Sequence, residues 1–371
     1  MTLQAGMIAP GERCEAMRTV VIGGGIIGAS IAYHVAVRNS DVTVLAGPRR
    51  GGIATAQSFA WINAAPGNER DYHELRVKAI LDWHRLQGEL GARLAINWNG
   101  ALWWHDDPDA LAASVAEHAS WGYPIRLVSP AEAAKQEPSL ESYPDRSALS
   151  PLEGGLSPVA TTIALLEAAV ELGATVADDA ACAIVTRAGR VAGVRTLSGE
   201  IDADQVVLAA GIASEELAGD VGVNLAMANL PGFLVTTAPV PPLLHGVVLS
   251  PGPHVRQNDD GRLIIGSDFG GGPDPDNPEV EAAALLASVR QLLALEVDLR
   301  VERTSLGIRP IPSDGHPIIG PAPDLAGLYV TVMHSGITLA ALVGRLAAEE
   351  VLSARPVESL EPYRPGRFAN G

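Results

Sequence analysis

Residues 20–30 read Val-Val-Ile-Gly-Gly-Gly-Ile-Ile-Gly-Ala-Ser. Three β-branched residues lead into Gly23, Gly25 and Gly28 at GxGxxG spacing, and a helix-patterned segment runs on from Ile26 to Val37. This predicts a strand, a tight turn and a helix. Gly23 permits the turn, Gly25 lets the backbone approach a pyrophosphate, and Gly28 lets helix and strand pack closely. The helix N-terminus, with the amides of Ile26 and Ile27, then faces the phosphates. Ala29 and Ala32 continue the close-packed face. Glycine clusters also make ordinary turns, so the strand before and the helix after are what turn the spacing into a dinucleotide site.

Outward from there, Asp41-Val-Thr-Val-Leu45 is a second short strand, broken by the glycine-rich loop Gly47 to Gly52. NAD-binding proteins of this type place Asp or Glu about 20 residues past the fingerprint, where it accepts hydrogen bonds from ribose. Here the strand ends Thr43-Val44-Leu45-Ala46, a methyl where the carboxylate belongs, so NAD is poorly supported. Residues 70–90 are helical in pattern; a less regular region extends to about 150. A helix from Ile163 to Leu172 is started by Thr161 or Thr162, and Val206 to Gly211 closes that unit as a buried strand. From 230 to 268 the pattern is of strands joined by turns, with Asp260-Gly261 between His254-Val-Arg256 and Leu263-Ile-Ile265, which predicts an antiparallel sheet. Asp274 and Asp276, in a Gly/Pro/Asp loop at 270–278, fit no calcium-loop spacing. Helices follow at 280–296 and after the strand Leu328 to Val332.

The fold class is α/β, α+β overall: a discontinuous Rossmann-like domain over 18–80, 150–218 and 305–355, and an inserted domain over 81–149 and 219–304 with a mixed, mainly antiparallel sheet. Residues 1–17 read as a disordered extension and 356–371 as a C-terminal tail. The formal charge of −17 argues against nucleic-acid and anionic-membrane partners, and no apolar run approaches the roughly 18 residues of a bilayer span. Two cysteines, Cys14 and Cys182, make neither a disulfide framework nor a metal cluster; a reducing compartment, the cytoplasm, is the expectation, and no metal is expected. Oligomerisation is left open. Neither an HExxH zinc helix nor a GxSxG nucleophile elbow is present.

A second segment, Gly307-Ile-Arg309-Pro310 through Asp314-Gly-His-Pro-Ile-Ile-Gly320, changes the reading. With the fingerprint, the Ser58-Phe-Ala60 loop, Gly154 to Pro158, Val-Leu-Ala-Ala210-Gly211, Asp260 to Gly266 and His334-Ser-Gly336-Ile337-Thr338, it resembles the flavin-dependent D-amino-acid oxidase superfamily, which includes glycine oxidase, sarcosine oxidase and D-amino-acid dehydrogenases. The pieces occur in the family's order from Thr19 to about Glu350. The resemblance implies FAD, held noncovalently because no Cys or His stands at the attachment positions. It also implies that the amides of Gly336, Ile337 and Thr338 face the flavin pyrimidine, that Gln57 and Ser58 run beside the flavin, and that the Cys182 backbone meets adenine. Arg49, with Arg50 or water, is left to hold the ribose.

Arg309 is expected after a strand in a turn fixed by Pro310, where a guanidinium grips a carboxylate through two parallel hydrogen bonds. The family's matching arginine binds the substrate carboxylate. His334 occupies the place of a second active-site arginine in glycine oxidase, a departure that counts against glycine as substrate. His254 and Arg256 share one strand face, since side chains alternate, and in the family that strand walls the substrate. Trp103-Trp104-His105 is read as buried packing. The resemblance implies oxidation of the C–N bond of a small amino or imino acid, a D-amino acid, glycine, N-methylglycine or a proline-like compound, with oxygen or another electron acceptor. A 2-hydroxy-acid dehydrogenase on the same fold and a noncatalytic or subunit-type flavoprotein are the alternatives.

Overall fold

The strand Thr19–Ile22 is buried along its whole length, as a parallel strand covered on both faces must be. The computed structural model describes residues 17–228, 230–267 and 277–368, and places this strand inside a six-stranded sheet. The order is Ile318–Pro321, Leu328–Val332, Gln205–Leu208, Thr19–Ile22, Val42–Leu45 and Thr175–Ala177. All pairs are parallel except the first, where Ile318–Pro321 runs antiparallel to its neighbour. The helix Ile26–Val37 follows the first strand and packs against both Pro158–Glu171 and Gly336–Ser353. Being covered on several sides, it is buried nearly all round, Ser30 and His34 included. Ser30 Oγ donates to Ala340 O at 2.7 Å, and a Cβ on Gly344 would lie 2.0 Å from Ser30 Oγ. The small antiparallel sheet Ala181–Arg187, Arg190–Thr196 and Glu200–Asp202 contributes to a second core.

The second large sheet has eight strands, in the order Val301–Arg309, Leu230–Thr237, Leu263–Gly266, His254–Gln257, Val247–Leu249, Ala101–Trp103, Ser147–Ser150 and Arg126–Val128. Only Val247–Leu249 and Ala101–Trp103 pair in parallel, so the sheet is mixed and mainly antiparallel. Gly261, at φ +83°, turns the hairpin between His254–Gln257 and Leu263–Gly266. A third core forms between this sheet and the helix Pro278–Leu292.

Several sequence expectations need correction. A boundary between residues 80 and 81 would cut the 21-residue helix Arg70–Leu90 in two. The strand Val301–Arg309 belongs as a whole to the eight-stranded sheet, so a boundary at 305 divides it, and Arg309 is its last residue, opposite Leu230, rather than part of a following turn. The helix expected at Ile163 begins at Pro158 after Ser157. Proline suits the first helical turn, where its missing N–H costs nothing, and Thr161 and Thr162 are buried inside the helix. The irregular stretch before 150 contains the helix Pro108–Ser120, capped by Asp107. The helix expected to 296 ends at Leu292. In its described part the C-terminal segment is no loose tail: Leu360 and Tyr363 are buried, and Arg364 Nη2 meets Glu350 Oε1 at 2.6 Å. The expected extension before Met17 and the loop holding Asp274 and Asp276 lie outside the described residues.

Candidate active site

The glycine turn is shaped by what cannot fit there. Gly23 has φ +117°, and a Cβ would lie 2.3 Å from Ala209 O; on Gly28 it would lie 1.9 Å from Gly23 O. Gly25 is the N-cap of the helix Ile26–Val37 and provides no side-chain cap, while Ile26 N donates to Thr55 Oγ1 at 3.2 Å. A Cβ on Gly52 would come within 2.7 Å of Gly25 Cα. Glycine backbone and the Thr55 hydroxyl therefore line this recess, which leaves the close backbone approach that a pyrophosphate cradle requires. Ala210 adjoins Gly23, whose Cβ would be 3.1 Å from Ala210 Cα, and Gly211 follows at φ +61°.

A second helix N-terminus lies beside the first. Ser335 caps Gly336–Ser353 without a side-chain hydrogen bond to it, and a Cβ on Gly336 would be 3.5 Å from Ile27 Cγ1. Two helix dipoles thus present their positive ends together, one where pyrophosphate would rest and one where negative charge would collect on a flavin pyrimidine. These residues fit FAD.

Adjoining the second N-terminus is a cavity of about 710 Å³. Of the residues singled out in the sequence, it brings together Gln57, Ser58, His254, Arg309, His334, Ile337 and Thr338. Trp103, Trp104 and His105 also line it; Trp103 is buried, Trp104 half-buried and His105 exposed, so the expected buried packing holds for Trp103 alone. Arg309 Nη2 donates to Pro231 O at 2.6 Å, and Gly232 lets the guanidinium lie close, since a Cβ there would be 3.2 Å from Arg309 Nε. His334 is pushed down to about 4 by burial and then by the charges of Arg309 and Arg76, so it is neutral near pH 7. The Thr338 hydroxyl contacts Trp61 O at 3.3 Å and accepts from Asn63 N at 3.2 Å, which commits it to the neighbouring strand.

Arg256 does not share this cavity. It is buried under the Ser58–Ala60 loop, its Nε donating to Phe59 O and its Nη1 to Asn258 Oδ1 at 2.7 Å. A Cβ on Gly155 would lie 3.2 Å from its Cδ. Burial holds this guanidinium down to about 10. Arg256 supports the loop from behind and borders a separate cavity of about 290 Å³. Cys182 is exposed on the strand Ala181–Arg187 and Arg49 is exposed beyond Val42–Leu45; both stand outside the wall of the large cavity. Arg50 is paired with Asp178 at 2.5 Å. Ala46 is buried against Gly24, whose Cβ would fall 2.6 Å from the Ala46 methyl.

Among the cavity residues that the sequence did not single out, one carries a charge buried in the wall. Arg76 is only 6% exposed, yet its guanidinium lines the cavity. Nε donates to Asn63 O at 3.0 Å, Nη1 to Ser335 Oγ at 2.5 Å and Nη2 to Asn63 Oδ1. A signal was available: Arg76 falls on the buried stripe of its helix, with Tyr72, Leu75, Ala79 and Trp83. Behind it Glu153 is fully buried; its Oε1 accepts from Ala64 N, Ala65 N and Tyr123 Oη at 3.1, 3.0 and 2.9 Å. Burial pushes this carboxyl up to about 7. Among the described residues no cluster of three His, Cys, Asp or Glu side chains is gathered as for a metal ion, and no helix is long and apolar enough to cross a membrane.

Comparison with known proteins agrees with this arrangement. Glycine oxidase of Pseudomonas putida is 26% identical over 366 residues, covering 94% of this chain and 98% of the relative. The structure of L-proline dehydrogenase from P. horikoshii superposes with a TM-score of 0.84 at 23% identity, covering 96% of this chain and 99% of that one. That of L-amino acid deaminase from Proteus vulgaris with its specific insertion sequence deleted gives 0.87 at 20% identity, covering 97% of this chain and 96% of that one. The family profile described as FAD dependent oxidoreductase, DAO, matches residues 18–350. The chain belongs to the DAO family of FAD-dependent oxidoreductases.

Proposed function

We propose that the protein oxidises the C–N bond of a small amino or imino acid. The observation that carries this is Arg309, a guanidinium at the end of a strand, facing a cavity beside the helix N-terminus at Gly336. An arginine so placed suits one carboxylate of a small acid, gripped in a fixed orientation. The relatives named for glycine, L-proline and L-amino acids differ in substrate but all take an amino or imino acid.

FAD, when bound, accepts a hydride at N5. The residues would hold it noncovalently: the amides after Gly25 toward the pyrophosphate, those after Ser335 toward the pyrimidine, and the Gln57–Ser58 loop alongside the ring. Arg309 orients the substrate so that its Cα–H is presented in one direction. The substrate amine binds neutral, its proton having gone to water; as hydride leaves Cα, the nitrogen lone pair forms the C=N bond, water then adds, and ammonia or the amine departs to leave an oxo acid. His334, neutral across the physiological range, contributes a hydrogen bond and shape without adding a third positive charge beside Arg309 and Arg76. Positioning and exclusion of water suffice, and no general base is required. The reducing setting inferred from cysteine usage suggests the cytoplasm as the place of reaction.

Anaerobic bleaching of the flavin tests this reading, with D- and L-amino acids, glycine, N-methylglycine and proline as donors, followed by oxygen. Bleaching by one class, with ammonia or amine released alongside the oxo acid, is the expected result. Oxo acid formed from a hydroxy acid without nitrogen release, or no bleaching by any member, overturns it.

A further inference from the structure

The cavity contains two guanidiniums. Arg309 enters from the end of Val301–Arg309 and Arg76 from the helix Arg70–Leu90, and His334, between them in electrostatic terms, feels both charges. Arg309 has its role in the proposed function; Arg76 has none. Its hydrogen bonds go to Asn63 O, Asn63 Oδ1 and Ser335 Oγ, all uncharged acceptors. The acid it influences, Glu153, is itself fully buried and pushed up to about 7, so its negative charge is partial at neutral pH. A buried cation held only by neutral groups is unfavourable unless an anion joins it.

The side chains around Arg76 favour the same ligand. Tyr72 lies on the same helix face, with the guanidinium 5.2 Å from its ring centroid. Its buried hydroxyl has no hydrogen-bond partner among the described residues, and Tyr72 and Ser335 both line the cavity. Phenol, serine hydroxyl and guanidinium are all donors, and a donor cluster whose positive charge is only partly compensated suits a carboxylate. We propose that Arg76, Tyr72 and Ser335 form a second carboxylate subsite in the cavity that Arg309 also lines, so that the substrate is an amino or imino acid carrying two carboxylates. This rests on the reading of the cavity as an amine-oxidising site and narrows its substrate class.

The holoenzyme can be titrated with acetate and with succinate or glutarate, none of which is an amine, while the visible spectrum of the bound flavin reports binding. Wild type should bind a dicarboxylate at least about tenfold more tightly than acetate. Arg76→Met should weaken the dicarboxylate by about thirtyfold or more and acetate by less than about threefold. Tyr72→Phe, which removes only a hydroxyl, should weaken the dicarboxylate alone by about fivefold. It keeps the test decisive if Arg76→Met does not fold. In turnover, iminodiacetate should exceed N-methylglycine in kcat/KM, a preference that Arg76→Met abolishes.

Equal affinity for acetate and dicarboxylates in wild type overturns the proposal, as does equal weakening of both in Arg76→Met. So does a lowered flavin midpoint potential in Arg76→Met with the dicarboxylate preference intact, because the charge would then serve the flavin ring. An Arg76-dependent dicarboxylate preference without bleaching by any amine supports the subsite and defeats amine oxidation. Bleaching by monocarboxylic amino acids with no preference for a second carboxylate defeats the subsite alone.

Discussion

Replacing Arg309 with Met removes a guanidinium while keeping an unbranched side chain of similar reach. The interactions lost include the Nη2 bond to Pro231 O at 2.6 Å and the proposed grip on substrate carboxylate. The first is one hydrogen bond to a neutral acceptor and contributes about 1 kcal/mol to folding. The second, a charge pair inside a walled cavity, is worth about 2–5 kcal/mol when one partner is truncated, or about thirtyfold to several-thousandfold in Kd. Binding should therefore suffer far more than stability. A finer perturbation leaves Arg309 in place. A Cβ at position 232 would lie 3.2 Å from Arg309 Nε and 3.4 Å from Cζ, so Gly232→Ala presses the guanidinium aside by a few tenths of an ångström. If a 1 Å misplacement costs about a hundredfold, this shift costs about three- to fivefold. Arg309→Lys, with charge but no planar fork, should fall between the two. Stopped-flow reduction of the flavin under anaerobic conditions, as a function of substrate concentration, separates Kd from the limiting rate, and a thermal melt records folding. If Arg309→Met stays folded, keeps its flavin and shows a wild-type Kd, the assignment of the carboxylate to Arg309 is wrong.

Ala46→Glu should slow FAD release on dilution by severalfold, because the carboxylate would be placed to accept from the ribose hydroxyls of bound FAD; unchanged or faster release, followed by flavin fluorescence, counts against that account. Glu350→Gln breaks the pair with Arg364, whose side chains are 4% and 17% exposed, but leaves Arg364 its second partner Glu361 at 3.2 Å, and should cost up to about 3 kcal/mol in urea unfolding. Burial pushes the Glu350 carboxyl up, but Arg364, Tyr329 and the Val357 N–H together hold it below its usual range. Its contribution is therefore present above the ordinary glutamate pKa and lost as pH falls through the lowered value, so the variant should show a flatter acid limb than wild type; parallel pH profiles would refute this. Glu153→Gln keeps an acceptor for Ala64, Ala65 and Tyr123 and should be mild, whereas Glu153→Ala strands three buried donors and should cost more than about 3 kcal/mol; equal melting temperatures for the two would show that the carboxyl oxygen is not what holds the loop at Asn63–Ala65.

The parts of the site that were legible in the sequence are those fixed by short-range geometry. Gly23, Gly25 and Gly28 announce a turn that only glycine can make, and the helix beginning at Ile26 follows from it. Arg309 could be read because the strand and Pro310 on either side restrict where it points, although the strand holds it one residue longer than expected. Arg256 shows where such reading stops: alternation assigns a residue to a face of the sheet, but Phe59 and Gly155, which cover it, come from distant parts of the chain. The same limit hid Arg76. Its place on the buried stripe of Arg70–Leu90 was visible, but Ser335, its partner 259 residues away, was not. A buried charge is costly enough that it requires a compensating group, and the compensation is a tertiary property. Glu153 illustrates the cheaper solution, a carboxyl driven toward neutrality with two backbone amides and a phenol on one oxygen. A guanidinium cannot take that route, because it stays protonated throughout the physiological range. Arg76 must meet an anion or carry the cost, and the cavity it lines is where an anionic substrate would meet it.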